Sequence, residues 1–205
     1  MSETPEPAEV RLDPRSVRVL AHPLRTRLLS RLRANGPATA TVLARALDTN
    51  TGATSYHLRK LAEVGLVVEE EGGVGRERWW RAAHEFTTLS LRDVEGDPDA
   101  EAAYAWLTDE YFRQFTEQAQ RWAAEKEHWP LAWREAAGAS DSMMELTPEE
   151  LTAMQQEIWE VAERYRTGAA ADRSGARSGE GDGETGERRR VFFFMHCFPD
   201  TEAPR

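Results

Sequence analysis

Asn50-Thr51-Gly52-Ala53-Thr54-Ser55-Tyr56-His57-Leu58-Arg59-Lys60-Leu61-Ala62-Glu63-Val64-Gly65-Leu66-Val67 joins a small, polar leading end to an apolar stripe. Thr54, Leu58, Leu61 and Ala62 recur at steps of three or four and share one face, which predicts a helix seated on a core. Asn50 or Thr51 can cap its start, because a short side-chain oxygen there accepts an otherwise unpaired backbone N–H. Gly65 supplies the left-handed residue that closes its end. Leu66-Val67-Val68 and Arg78-Trp79-Trp80 then read as two strands of a hairpin across Gly72-Gly73-Val74-Gly75.

Upstream, Asp13-Pro14 pairs a capping carboxylate with proline at the first helical position. A short helix is expected to follow, with Val17, Leu20 and Ala21 inward. Pro23 opens a second helix whose Leu24, Leu28, Leu29 and Leu32 keep helical spacing until Asn35-Gly36-Pro37 stops it. Thr39 or Thr41 caps a third, with Val42, Leu43 and Leu47 inward. Its end near Asp48-Thr49 is the turn of a helix-turn-helix. Trp79 and Trp80 alternate across a strand, so one belongs to the core and the other packs on a neighbouring helix.

A chain of 205 residues holds one domain, or a small domain with an appended unit. The formal net charge of -10 is unevenly spread. Between Arg11 and Ala83 stand 13 Lys/Arg against seven acids, a local balance of +6, so the remainder carries −16. Such segregation fits a chain in which one module alone faces phosphate. Chance clustering of surface arginines is the plainer reading of the same numbers.

A major groove about 12 Å wide admits one helix, and the residues of its first turns reach base edges. Here those are Asn50, Thr51, Gly52, Ser55, Tyr56 and His57, with Arg59 and Lys60 further along. Hydroxyls of Thr51 and Ser55 can donate or accept, Gly52 allows close backbone approach, and Tyr56 offers a ring edge to a thymine methyl. Arg76 and Arg78 on the hairpin suit the minor groove or the flanking phosphates. Each residue also has a plainer role: Thr51 as a helix cap, His57 as a hydrogen-bonding partner within the helix pair, Arg59 and Lys60 as a solvated face.

Leu20-Ala21-His22-Pro23-Leu24-Arg25-Thr26-Arg27-Leu28-Leu29 resembles the opening signature of ArsR-like winged helix-turn-helix regulators. Ser55-Tyr56-His57-Leu58, with Leu61 and Gly65-Leu66-Val67, is similar to the recognition-helix pattern of that family. The resemblance covers residues 14 to 84. It implies a three- or four-helix bundle with a β-wing, and a homodimer on double-stranded DNA at a palindromic operator. The helical C-terminal extension goes beyond the minimal family fold. The whole chain is therefore read as mainly α with a small β-wing and a C-terminal helical dimerisation region, and its role as that of a repressor. The founding members sense metals through clustered cysteines, and the winged segment here has none, so no metal and no cofactor is carried over.

Beyond Glu85 the composition changes. Ala100 to His128 reads as a long amphipathic helix, with Tyr104, Leu107, Tyr111, Phe115 and Trp122 on one side and Pro130 at its end. Thr147-Pro148-Glu149-Glu150 is a capping box that starts a last helix, expected to reach Arg166 and to bury Leu151, Met154, Ile158, Val161 and Tyr165. The aromatics of these helices, Tyr104, Tyr111, Phe115, Trp122 and Trp159 among them, are read as a dimerisation core. The alternative is a pocket for a small apolar effector, since such pockets are lined by the same residue types.

The domain reading is a disordered tail over 1–11, a winged helix-turn-helix domain over 12–84 and a helical region over 85–166. A flexible linker over 167–188 and a C-terminal strand and tail over 189–205 complete it, with Val191 to Phe198 expected as a buried strand. No apolar run approaches about 18 residues, and one cysteine, Cys197, allows no internal disulfide, which together favour a cytoplasmic protein with no membrane partner. His22, His57, His84, His128 and His196 have no metal-ligand spacing. The glycines at 72–75 lack the lysine and helix of a phosphate loop, and Ser55 is not on a nucleophile elbow, so catalysis is not expected. The rival from another class is a protein-interaction module in which the winged fold docks protein.

Overall fold

A computed structural model describes residues 9–70, 78–138, 140–174 and 188–201. They fall into two compact units, Met1–Glu117 and Gln118–Arg205.

In the first unit β1 (Glu9–Arg11) leads into α1 (Pro14–Leu20), α2 (Pro23–Asn35), β2 (Ala38–Thr39), α3 (Ala40–Ala46) and α4 (Thr51–Ala62). β3 (Val67–Glu70), β4 (Trp79–Ala82) and β5 (Phe86–Thr88) follow, and α5 (Pro98–Glu125) begins here and continues into the second unit. The caps explain the helix starts. The Asp13 carboxylate accepts from the Ser16 N–H at 2.7 Å, and Thr39 Oγ1 accepts from the Val42 N–H at 3.3 Å. The turn between α3 and α4 passes through Asp48 at φ 52, a left-handed conformation that a short polar side chain tolerates. Gly65 at φ 69 ends α4: its N–H reaches the Ala62 carbonyl at 3.0 Å while the Leu66 N–H reaches Leu61 at 3.0 Å. This pair of bonds, with buried Leu61 and Leu66 beside it, is the Schellman closure.

One core gathers Val17 and Leu20 from α1, Leu28, Leu29 and Leu32 from α2, Leu43 and Leu47 at α3, and Leu58 and Leu61 from α4. Leu12, Ala38, Leu66, Val67, Trp80, Val94, Ala100 and Leu107 complete it. β4 pairs antiparallel with both β3 and β2, giving the order β2-β4-β3, with Val67 opposite Ala82 and Ala38 opposite Trp80. Trp80 is buried and Trp79 half-buried, the alternation a pleated strand imposes. The expected turn at Gly72-Gly73-Val74-Gly75 lies outside the described residues.

Two readings of this unit are corrected. Glu9–Arg11 is a strand, parallel to β5, and not part of a tail. Pairing alone would hold so short a strand poorly, and Arg11 adds a bidentate bond to Asp93 at 2.5 and 2.8 Å. Arg18 binds Asp97, whose carboxylate is held below its usual range first by the Ala100 backbone N–H and then by Arg18. Val42, expected inward, is 54% exposed, because Leu43 and Leu47 one turn apart already take the core side of a two-turn helix. Arg33, by contrast, is drawn inward and donates from Nε to the His84 carbonyl at 3.0 Å. Burial pushes its guanidinium down to about 10, still charged at neutral pH.

The second unit holds the end of α5, α6 (Leu131–Ala136) and α7 (Pro148–Ser174). The capping box at Thr147 forms as expected: its N–H reaches Glu150 Oε2 at 2.8 Å, and its Oγ1 accepts from the Glu150 N–H at 3.2 Å. α7 then runs on to Ser174 past the expected end at Arg166, into the segment read as linker. Its apolar stripe is not buried as expected. Leu151, Met154 and Ile158 are half-buried, Val161 is exposed and Tyr165 is 79% exposed. Val191 to Phe198 is no strand either. Among the described residues every paired strand lies in the first unit, and here the segment meets helices, with Phe193 edge-on to Trp159 at 5.6 Å.

Leu58 has 0% exposure at the centre of the core, so Leu58→Ala is expected to lower the unfolding free energy by about 2–5 kcal/mol in urea titration. Val42→Ala should stay within about 0.5 kcal/mol of the parent. Equal losses would contradict the core as described.

Candidate nucleic-acid interface

α4 has two opposed faces because its sequence changes character every half turn. Thr54, Leu58 and Leu61 are buried, and the Thr54 hydroxyl spends its hydrogen bond on the Asn50 carbonyl at 3.0 Å. On the other side Thr51, Ser55 and Arg59 form one row at steps of four, and Gly52, Tyr56 and Lys60 form the next. Thr51, Gly52, Tyr56 and Arg59 are exposed, Ser55 and Lys60 half-buried. No acidic residue occurs in the first turn of α4, so the positive end of the helix dipole is not neutralised locally.

The capping alternatives left open by the sequence resolve on Asn50, whose Oδ1 accepts from the Ala53 N–H at 2.7 Å. Thr51 is the first helical residue, and its exposed hydroxyl is not used by the cap. Gly52 sits against that cap: a Cβ there would stand 3.3 Å from Asn50 Oδ1. Close packing at the helix tip is thus part of why glycine occupies this position.

Tyr56 is 50% exposed and stands edge-on to His57 at 5.1 Å. Lys60 donates to both Glu63 carboxylate oxygens at 3.0 and 2.9 Å, and its ammonium lies 5.9 Å from the Tyr56 ring. Arg59 has no ion-pair partner among the described residues. His57 turns from the exposed rows toward the start of α2, where its ring lies 4.4 Å from that of His22. Its Nδ1 is buried without a hydrogen-bond partner among the described residues. Burial pushes both imidazoles below the ordinary histidine range, with neighbouring positive charge from Arg25 adding to it. Sequence spacing could not reveal this contact, since it depends on how α2 crosses α4.

On the wing, Arg78 is exposed immediately before β4, with Nε 3.5 Å from Glu69 on the neighbouring strand. Arg76 lies outside the described residues. The aromatic candidates for an effector or dimer pocket divide between the units. Tyr104 packs against the core of the first, and Tyr111 shares a 3.4 Å hydrogen bond with Thr87. Phe115 is edge-on to Phe112 at 6.3 Å. In the second unit Trp122 meets Trp129 at 5.7 Å, Trp129 meets Trp133 at 6.3 Å, and Trp159 meets Phe193. A recess in the first unit, lined by Ser90, Leu91, Arg92, Glu95 and Glu101, contains none of these rings. Among the described residues no group of three His, Cys, Asp or Glu side chains is placed to hold a metal, and no helix is long and apolar enough to cross a membrane.

Residues 20–70 match a family model described as a helix-turn-helix domain. No curated protein matches the chain. Among solved structures the chain is similar to one described as a possible transcriptional regulator for arsenical resistance. The two are 32% identical, over 49% of this chain and 85% of that one, with a TM-score of 0.31. It is also similar to a transcriptional regulator homologue from Pyrococcus horikoshii OT3, 20% identical over 47% of this chain and 87% of that one, with a TM-score of 0.30. By the family match residues 20–70 make up a helix-turn-helix domain, and with the three-stranded sheet beside it the unit is a winged helix-turn-helix.

Proposed function

We propose that this chain is a sequence-specific DNA-binding transcriptional regulator, a repressor that engages a palindromic operator as a homodimer. One observation carries the reading. The face of α4 bearing Thr51, Gly52, Ser55, Tyr56, Arg59 and Lys60 stands open and polar while the opposite face is locked into the core. A helix held in this way can enter a major groove without exposing its apolar side. Asn50 and Thr51 open the tip that meets the bases, Ser55 and Tyr56 read them, and Arg59, Lys60, Arg76 and Arg78 meet phosphate. The net +6 of residues 11–83 within an acidic chain supplies the attraction to DNA and keeps the rest of the chain away from it.

Dimerisation belongs to the helices beyond Glu85. The stripe Leu151, Met154, Ile158, Val161 and Tyr165 keeps helical spacing yet remains half-open or exposed in the single chain. A second copy would cover it and set two α4 helices one DNA turn apart, the geometry a palindrome requires. A dimer lying on promoter DNA excludes other proteins from it, which is the repressor reading. The cytoplasm is where such a regulator works.

Fluorescence anisotropy on duplexes from the region upstream of the coding sequence tests the interface. Arg78→Ala is expected to weaken every duplex nearly equally and to reduce the slope of log K against log salt by about one. Ser55→Ala and Tyr56→Ala should instead change the preferred sequence, with about 1–3 kcal/mol of discrimination lost at one base pair. An unchanged salt slope contradicts the wing contact, and uniform loss at Ser55 and Tyr56 contradicts base reading.

Light scattering tests the assembly. The full chain is expected to have the mass of two copies and Ile158→Asp that of one, with the circular dichroism of the winged unit retained. A monomeric parent chain would overturn the dimer.

A further inference from the structure

His22 and His57 come from different elements and meet ring to ring at 4.4 Å, tilted by 39°. Each has one nitrogen in a place that suits only the neutral ring. His22 is the N-cap of α2, and its Nδ1 accepts the Leu24 N–H at 3.1 Å, so the proton of the neutral ring sits on Nε2. A second proton, on Nδ1, would remove the cap and put positive charge at the helix end that repels it. His57 Nδ1 is buried with no partner among the described residues; protonated, it would be a donor facing no acceptor there.

Among the described residues neither ring has a counter-charge acting on it. Arg25 on α2 acts on both rings, its Nε likewise buried and unpartnered among the described residues, and His22 adds to the burden on His57. Tyr56 is edge-on to His57 and brings no carboxylate to the pair. α1, α3 and β3 also pack on α4. Their charged groups include Arg18, held by Asp97, exposed Arg15 and Arg45, and Glu69 beside Arg78. On α4 itself Lys60 is paired with Glu63.

We propose that the His22–His57 pair is an acid-sensitive latch between the start of α2 and the recognition helix, in which His57 positions α4 and does not read bases. With both rings neutral, the contacting pair pins the middle of α4, with the Tyr56 ring edge-on to His57. A proton on either ring breaks the α2 cap or strands a buried donor beside Arg25, and the docking of α4 loosens. The sign follows from burial. A base whose folded-state pKa is lowered contributes stability that is complete above its unfolded value, about 6.5, and is lost as the pH falls through the folded value. The latch itself does not depend on the proposed function; its effect on DNA affinity does.

The test uses the full chain. Thermal unfolding between pH 5 and 8 is compared with that of the double variant His22→Asn, His57→Phe, which keeps a capping side chain and a ring but titrates at neither site. The parent midpoint is expected to fall a few degrees more than that of the double variant between pH 7 and 5. Parallel profiles overturn the latch. Should the double variant fail to fold, imidazole NMR titration of the parent chain decides: both His22 and His57 below 6.5 supports the proposal, and either at or above 6.5 overturns it.

Anisotropy at constant salt adds the functional arm, comparing affinity at pH 7.5 and 5.5. The parent is expected to lose severalfold more affinity than the double variant, because a proton that loosens the docking of α4 disturbs the surface that binds. A parent that gains more affinity in acid than the double variant does would place the imidazolium on phosphate and overturn the positioning role. If no duplex binds at any pH, the DNA reading fails while the thermal profiles still decide the latch.

Discussion

The buried stripe of α4 is the constraint on which the rest depends. Leu58 and Leu61 have no exposed surface, and Thr54 closes its hydroxyl onto the Asn50 carbonyl. That face cannot rotate without opening the core against α2 and α3, so the opposite rows stay outward. The caps serve the same end: Asn50 fixes where the helix begins, and Gly65 fixes where the chain leaves it for β3. An N-cap of this kind is worth about 1 kcal/mol, small beside the core but placed at the tip where a bound duplex would be met.

The domain around this helix was legible in the sequence because its signals are local. Asp13-Pro14, Asn50 and Thr147-Pro148-Glu149-Glu150 each mark a helix start through a side chain reaching a nearby backbone group. The elements that were not legible owe their existence to distant partners. Glu9–Arg11 is a strand because β5 and Asp93 lie beside it, and Ala38–Thr39 because β4 does. A stretch of two or three residues has no periodicity to read. Val191 to Phe198 fails in the opposite sense: its composition suits a strand, yet the described residues of its own unit present it with helices and no sheet edge.

The candidate site divides in the same way. Which residues face outward follows from the helical period, so Thr51, Ser55, Tyr56 and Arg59 could be placed from sequence. His57 could not, because its surroundings depend on where α2 crosses. The same limit applies to the stripe of α7. Spacing gives the apolar face and says nothing of the surface that covers it, and Val161 and Tyr165 remain exposed in the single chain. Charge also acts at the level of the whole chain, with the basic balance confined to the winged unit and the acidic excess elsewhere.

The central claim, that the open face of α4 is the surface that meets DNA, is tested most directly by amide NMR of the full labelled chain titrated with a duplex from its own upstream region. The account predicts that the largest shift changes fall on residues 50–60 and at Arg78, with the core positions of α2 little changed. Changes confined to residues beyond 118, with 50–60 unaffected at saturation, would contradict it.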